Sequence, residues 1–303
     1  MRDPHSCSAL SAALDEPMGG TAPYAVGWLA VEQPGPWGRK ALTDSRLDVD
    51  LGVRLDRACA AVGVRPALVR RPGRDPLPTP PGRTVLAAHT TPGDSWLYSA
   101  RVEDVGALEW EALAAAVAAG DADAVRRLLP GASPSPPHLL VCSNGRRDVC
   151  CALQGRPVAL AAAVAAPDRV WEATHLGGHR FAPTAAVLPT GMVHGRLDAE
   201  AAVAVLDAAD RGEVVVESAR GRTTWSAPGQ AAELAVRRAT GEQSADALRI
   251  TEDDAGWLVT HADGRAWRVG VAEQTARTSR PESCGKDAAP LRSWVADEPK
   301  PLP

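Results

Sequence analysis

The stretch His138–Asp148, HLLVCSNGRRD, sets the reading of the fold. Five mostly apolar residues ending on Cys142 have the length of a buried strand, and the polar SNGRRD after them marks a loop. About 110 residues upstream, Trp28–Gly38, WLAVEQPGPWG, has the same form: an apolar run that opens into a Gly/Pro loop. Working outward, the two neighbourhoods share an order of strand, Gly-containing loop, helix, strand, strand pair and helix. In the first, Ala25–Val31 is a strand and Leu51–Val62 a helix closed by Gly63. Ala67–Val69 is a strand, and Thr84–His89 and Trp96–Val102 form a strand pair. Leu108–Ala119 and Ala122–Leu129 are helices, the second capped by Asp121. In the second, Pro157–Ala166 is a helix with proline in its first turn, and Arg169–Ala173 is a strand. Thr184–Leu188 and Met192–His194 form a hairpin across PTG, and Ala199–Ala209 is a helix capped by Asp198.

This order predicts an α/β (α+β) chain made of thioredoxin-like α/β sandwich units, a degenerate tandem duplication. The Pro-rich RRPGRDPLPTPPGR (70–83) reads as a surface loop and PGASPSPP (130–137) as a linker. Three regions follow: an N-terminal α/β domain at 1–130, a second domain at 131–228, and a tail at 229–303. The tail opens with a helix at Gln230–Thr240. A small meander follows (Leu248–Thr251, Gly256–His261, Ala266–Ala272), with a hairpin turn at Asp263-Gly264. Residues 1–22 read as an irregular lead-in, and the last 25 residues as irregular or wrapping another surface.

Composition narrows the function classes. Hydrophobic residues are 45% of the 303 and charged residues 23%, a globular balance. The net charge of −4 argues against a nucleic-acid or polybasic membrane binder. The longest apolar run, Pro157–Pro167, is too short to span a bilayer, and no apolar leader precedes the first strand. A cytoplasmic protein is expected, in which the six cysteines (7, 59, 142, 150, 151, 284) are free thiols or ligands.

Three of those cysteines fall within ten residues, in CSNGRRDVCC (142–151), and HLGGH (175–179) follows one helix and one strand later. Two thiolates and two imidazoles suit zinc or an iron–sulfur cluster. The gap from Cys142 to Cys150 or Cys151 exceeds the two to four residues of a zinc-finger pair, which favours a larger object such as a [2Fe–2S] rhomb. His175 and His179 have the i, i+4 spacing of a zinc-protease helix. Yet Gly177 and Gly178 cost about 1 kcal/mol each in a helix, and Leu176 stands where the general-base glutamate belongs. HLGGH is therefore read as a tight loop.

The blocks GTAPYAVGWLAVEQPGPWG (20–38), HLLVCSNGRRDVCCALQG (138–155) and HLGGHRFAPTAAVLPTGMVHGRL (175–197), with ESCGK near the C-terminus, resemble the sucrase/ferredoxin-like family. The resemblance implies a thioredoxin-like ferredoxin domain with a [2Fe–2S] cluster on Cys142, Cys151, His175 and His179. Cys150 is the reserve ligand, because this chain has two cysteines where related ones often have one. Arg147, Asp148, Gly177, Gly178 and Arg180 would lie around the ligands, with Asp148 pairing to an arginine. The implied role is one-electron, proton-coupled transfer to a redox partner protein, a carrier more than a stand-alone enzyme. Nothing supports glycosidase chemistry, since no carboxylate pair of that type is identifiable. Two other readings stay open: a structural Cys2His2 zinc module on the same residues, and a thioredoxin-like thiol oxidoreductase. The second lacks a C-x-x-C pair. Cys59, His89, His138 and His194 read as structural.

Overall fold

A computed structural model describes residues 4–73 and 82–303; residues 74–81 of the Pro-rich loop lie outside them. The first half comprises α1 (Cys7–Ala13), β1 (Gly27–Glu32), α2 (Val49–Ala61), β2 (Val64–Arg70), β3 (Arg83–His89), β4 (Trp96–Val102), α3 (Trp110–Ala119) and α4 (Ala122–Leu128). After β5 (Ser133–Pro134), the second half comprises β6 (His138–Cys142), α5 (Arg156–Ala165), β7 (Val170–Ala173), β8 (Ala185–Leu188), β9 (Met192–His194), α6 (Ala199–Asp210) and β10 (Ala219–Arg222). The tail comprises α7 (Ala227–Thr240), β11 (Leu248–Asp253), β12 (Gly256–His261), β13 (Ala266–Val269), β14 (Val271–Pro281), β15 (Ala288–Ala296) and β16 (Lys300–Pro301).

The element boundaries follow local chemistry. Asp48 caps α2 by accepting the Leu51 N–H, and Asp198 caps α6 by accepting the Ala201 N–H. Gly120 and Gly241 end α3 and α7 in the left-handed conformation, which costs glycine little.

Strands of both halves join one mixed sheet in the order β10-β9-β8-β6-β7-β2-β1-β3-β4-β5. From the centre outward the order is β2-β1-β3-β4 on one side and β7-β6-β8-β9 on the other. In each half the first two strands are parallel and the next two antiparallel. The repeated order of the sequence is thus a repeated topology, joined where β2 and β7 pair antiparallel through Val69–Ala173 and Arg70–Glu172. The predicted linker is itself docked: β5 pairs with β4, and Ser135 donates to the Leu97 carbonyl.

Alternation along the strands assigns the two faces. Leu29 and Val31 pack with α2 and α3, and Leu139 and Val141 pack with α5 and α6. The opposite parity (Trp28, Ala30, Leu140 and Cys142) shares a separate core with Cys151, Trp171 and Leu176. Cys142 therefore faces away from the helices.

Two expectations are corrected. Residues 1–22 are not wholly irregular, because Ser6 caps α1 by accepting the Ala9 N–H. The last 25 residues are not irregular either. β14 and β15 form a long two-stranded ribbon, and β16 closes the β11-β12-β13 sheet. β14 is largely polar on both faces, so it carries little apolar alternation for a sequence reading to detect, while Leu291, Trp294, Val295 and Ala296 of β15 are half-buried. No helix among the described residues is long and apolar enough to cross a membrane.

Candidate metal centre

β6 and β7 are parallel neighbours with Cys142 opposite Ala173, so the chain leaves both strands at the same edge of the sheet. The loops that follow, one beginning at Ser143 and one at Thr174, start side by side, at the carboxyl ends where α/β sheets place their sites. The first loop turns on the Asn144 carbonyl, which accepts from the N–H groups of Arg147 and Asp148. It then enters a wide helical turn, Cys151–Gly155. That turn lies against the end of β6 because position 155 is glycine: a Cβ there would run into the Cys142 carbonyl.

HLGGH is a loop, as its glycines predict. Gly177 and Gly178 have φ of 86° and 65°, in the left-handed region, and a single turn of 3-10 helix, His179–Phe181, follows. Two arginines, Arg65 half-buried and Arg220 buried, hold the loop from beneath. Arg65 donates to the His175 carbonyl at 3.0 Å, and Arg220 donates to the Gly177 carbonyl at 2.9 Å and to Thr21 Oγ1 at 3.0 Å. The rings of His175 and His179 face each other with centroids 5.2 Å apart.

These loops bring the sequence-predicted donors together. The Cys142 sulfur interacts with the Cys151 thiol, the His175 ring and the Leu176 N–H, and together they hold its pKa well below the ordinary thiol range against the opposing effect of burial. The Cys151 thiol is pushed up, first by that same hydrogen bond and then by burial. Burial lowers the His179 pKa, opposed by the nearby Asp148 carboxylate. Its Nε2 lies 3.8 Å from Asp148 Oδ2. The Nδ1 atoms of both His175 and His179 are buried with no hydrogen-bond partner among the described residues. Orphaned imidazole nitrogens beside two buried sulfurs fit a metal or iron–sulfur group, because a buried polar atom without a partner is costly until something accepts its lone pair.

The Cys150-Cys151 doublet diverges. Cys151 turns to Cys142, whereas Cys150 turns away, its sulfur 3.7 Å from Cys7 Sγ and 3.3 Å from Cys284 Sγ. Among the described residues, one set of metal-ligand side chains has its ligand atoms all within 4.8 Å of one another: Cys7, Asp148, Cys150 and Cys284. This is a Cys/Asp cluster of a kind that can bind a metal. Asp148 does not pair with an arginine among the described residues; it accepts the backbone N–H groups of Cys150 and Cys284 and the Ser283 hydroxyl. Arg180 turns inward, its Nε 2.8 Å from Glu16 Oε1 and its guanidinium over the Phe181 ring. On the first loop Arg147 is half-buried and Arg146 exposed.

The sequence reading missed Arg65, Arg220, Glu16 and the Cys7–Cys284 approach. Arg220 sits in ARGR, which looks like a solvated strand end. The glycines that leave room for its side chain are remote in sequence, Gly178 and Gly195, where a Cβ would meet Arg220. His138 and His194 are structural, as expected: His138 accepts from the Trp171 indole, and His194 Nδ1 lies 2.9 Å from Ser218 Oγ.

A family model described as sucrase/ferredoxin-like matches residues 18–221. No curated protein and no solved structure matches the chain.

Proposed function

The chain belongs to the sucrase/ferredoxin-like family, and from that premise we propose that it is a one-electron carrier whose [2Fe–2S] cluster is held by Cys142, Cys151, His175 and His179. The observation that carries this reading is the meeting of two buried sulfurs with two imidazoles, each of which keeps a buried Nδ1 with no hydrogen-bond partner among the described residues. When bound, such a centre exchanges one electron at a time, at a potential raised because neutral imidazoles replace two thiolates.

The surrounding residues suit that role. Half-buried Arg65 and buried Arg220 are cations that interact with the Cys142 sulfur, Arg220 also with Cys151, and so favour added negative charge. Asp148 faces Nε2 of His179, the position from which a carboxylate orients a ligating imidazole and accepts its proton. The sulfurs are buried and the histidines half-buried, so the HLGGH side is the edge through which a redox partner protein makes contact. Six free cysteines suit a reducing, cytoplasmic setting.

A single zinc ion on the same four residues is the competing occupant. A tetrahedral ion draws its donors within about 4 Å of one another, and the set gathered that tightly is a different one.

The test is anaerobic purification with iron and sulfide analysis. A red-brown protein with about two irons per chain and a rhombic EPR signal on reduction is expected. His175→Cys and His179→Cys should keep the colour, move the potential negative and flatten its pH dependence. A colourless protein whose zinc disappears with the two histidines would overturn the proposal.

A further inference from the structure

The corner beside this centre has its own geometry. Cys7 comes from α1, Cys150 from the loop after β6, and Cys284 from the turn between β14 and β15. Their sulfurs form a closed triangle with edges of 3.3, 3.5 and 3.7 Å. The Asp148 carboxylate caps it, its oxygens 3.7 and 3.8 Å from Cys7 Sγ. A tetrahedral ion with metal–sulfur bonds of about 2.3 Å sets its sulfurs about 3.8 Å apart, close to these edges. A cubane cluster needs a wider frame.

The donor set also suits a cation. The Asp148 carboxylate accepts the N–H groups of Cys150 and Cys284 and the Ser283 hydroxyl. Within ion-pair distance, among the described residues, its basic neighbour is His179. One carboxylate thus shares the corner with three thiols. Three thiols also exceed what a disulfide uses.

We propose that Cys7, Cys150, Cys284 and Asp148 bind one thiolate-preferring divalent ion, zinc by its geometry, in a structural site separate from the Cys142/His175 centre. Asp148 Oδ1 and Oδ2 are already fixed by the Cys150 and Cys284 N–H groups, so the site is preorganised on its oxygen side. Binding releases the remaining thiol protons to solvent and involves no redox step. The ion ties the N-terminal helix and the C-terminal ribbon to the loop that carries Cys151, and so stabilises a neighbouring ligand loop without touching electrons.

Metal analysis of the full chain, after equilibration with zinc and gel filtration, tests this separately from the electron-carrier reading. Wild type should hold about one zinc per chain. The His175→Ala/His179→Ala variant should lose iron and keep zinc. Cys7→Ser/Cys284→Ser should lose zinc while the visible spectrum remains. Absence of zinc from wild type, a Cys7–Cys284 disulfide in its place, or zinc lost with the histidines and kept without the cysteines would each overturn the site. If the cysteine variant fails to fold, thiol alkylation of wild type with peptide mapping decides. Labelling of Cys284 and Cys7 should rise several-fold after a zinc chelator, and unchanged labelling overturns the proposal.

Discussion

Two adjacent glycines in HLGGH have different jobs. Both have positive φ, yet a Cβ on Gly177 would meet nothing within 4 Å, whereas one on Gly178 would run into the Arg220 guanidinium. Gly177→Ala should therefore cost about 1 kcal/mol, the backbone price alone. Gly178→Ala should cost about 2–4 kcal/mol, because Arg220 must give up the Gly177 carbonyl or distort the loop. Urea unfolding of the two variants measures the difference, and equal losses would mean that Arg220 does not brace the loop. The HLGGH motif was readable in the sequence because its meaning is local: glycines at these two places exclude a helix. Arg220 was not readable, since a buried guanidinium satisfied by carbonyls 43 and 199 residues away leaves no trace in its own neighbourhood.

At the scale of elements, the two halves of the sheet are joined at one strand pair, and a buried charge fixes it. Glu172 on β7 is fully buried, accepting from Arg70 Nε on β2 at 3.0 Å and from the Ser143 hydroxyl at 2.7 Å. Removing the carboxylate leaves the arginine without its partner, so Glu172→Ala should lower unfolding stability by about 3–5 kcal/mol. The same variant should loosen the start of the Cys142 loop, read as faster amide exchange at Ser143 and Asn144. The strands and helices of the sheet were legible because each buries an apolar face with a definite period. The seven residues of α1 present too short a pattern, and β14 alternates little that is apolar. Both are placed by long-range pairing, which a single sequence does not display. The parallel pairing of β6 with β7 is what makes the motif a site: separate in sequence, the cysteine and histidine loops begin on adjacent strand ends.

For the molecule as a whole, buried histidines set a pH limit. Burial, with Arg71 and Arg169 adding, pushes His138 down to about 4, and burial with Arg220 pushes His194 down to about 3. These folded-state values lie below the unfolded value of 6.5. The stability that the neutral rings contribute is therefore fully present above pH 6.5 and is lost as pH falls through the folded values. Over that window the unfolded chain binds protons that the native chain refuses, at about 1.4 kcal/mol per proton per pH unit. Unfolding free energy measured by urea at pH 7, 6, 5 and 4 should fall progressively, and His194→Gln should flatten the slope. An unchanged slope in that variant would assign the acid sensitivity elsewhere.

The meeting of Cys7 with Cys284 has a consequence for biosynthesis. The two residues are 277 positions apart, and Glu16 waits similarly for Arg280, 264 positions on. At about 5–20 residues per second, a ribosome takes tens of seconds to supply the later partner. Through that interval the nascent chain holds the earlier thiol unshielded, so the corner closes only after residue 284 has been translated. Maturation of this region therefore waits on the β14–β15 ribbon, and the cell must keep the waiting sulfur reduced until then.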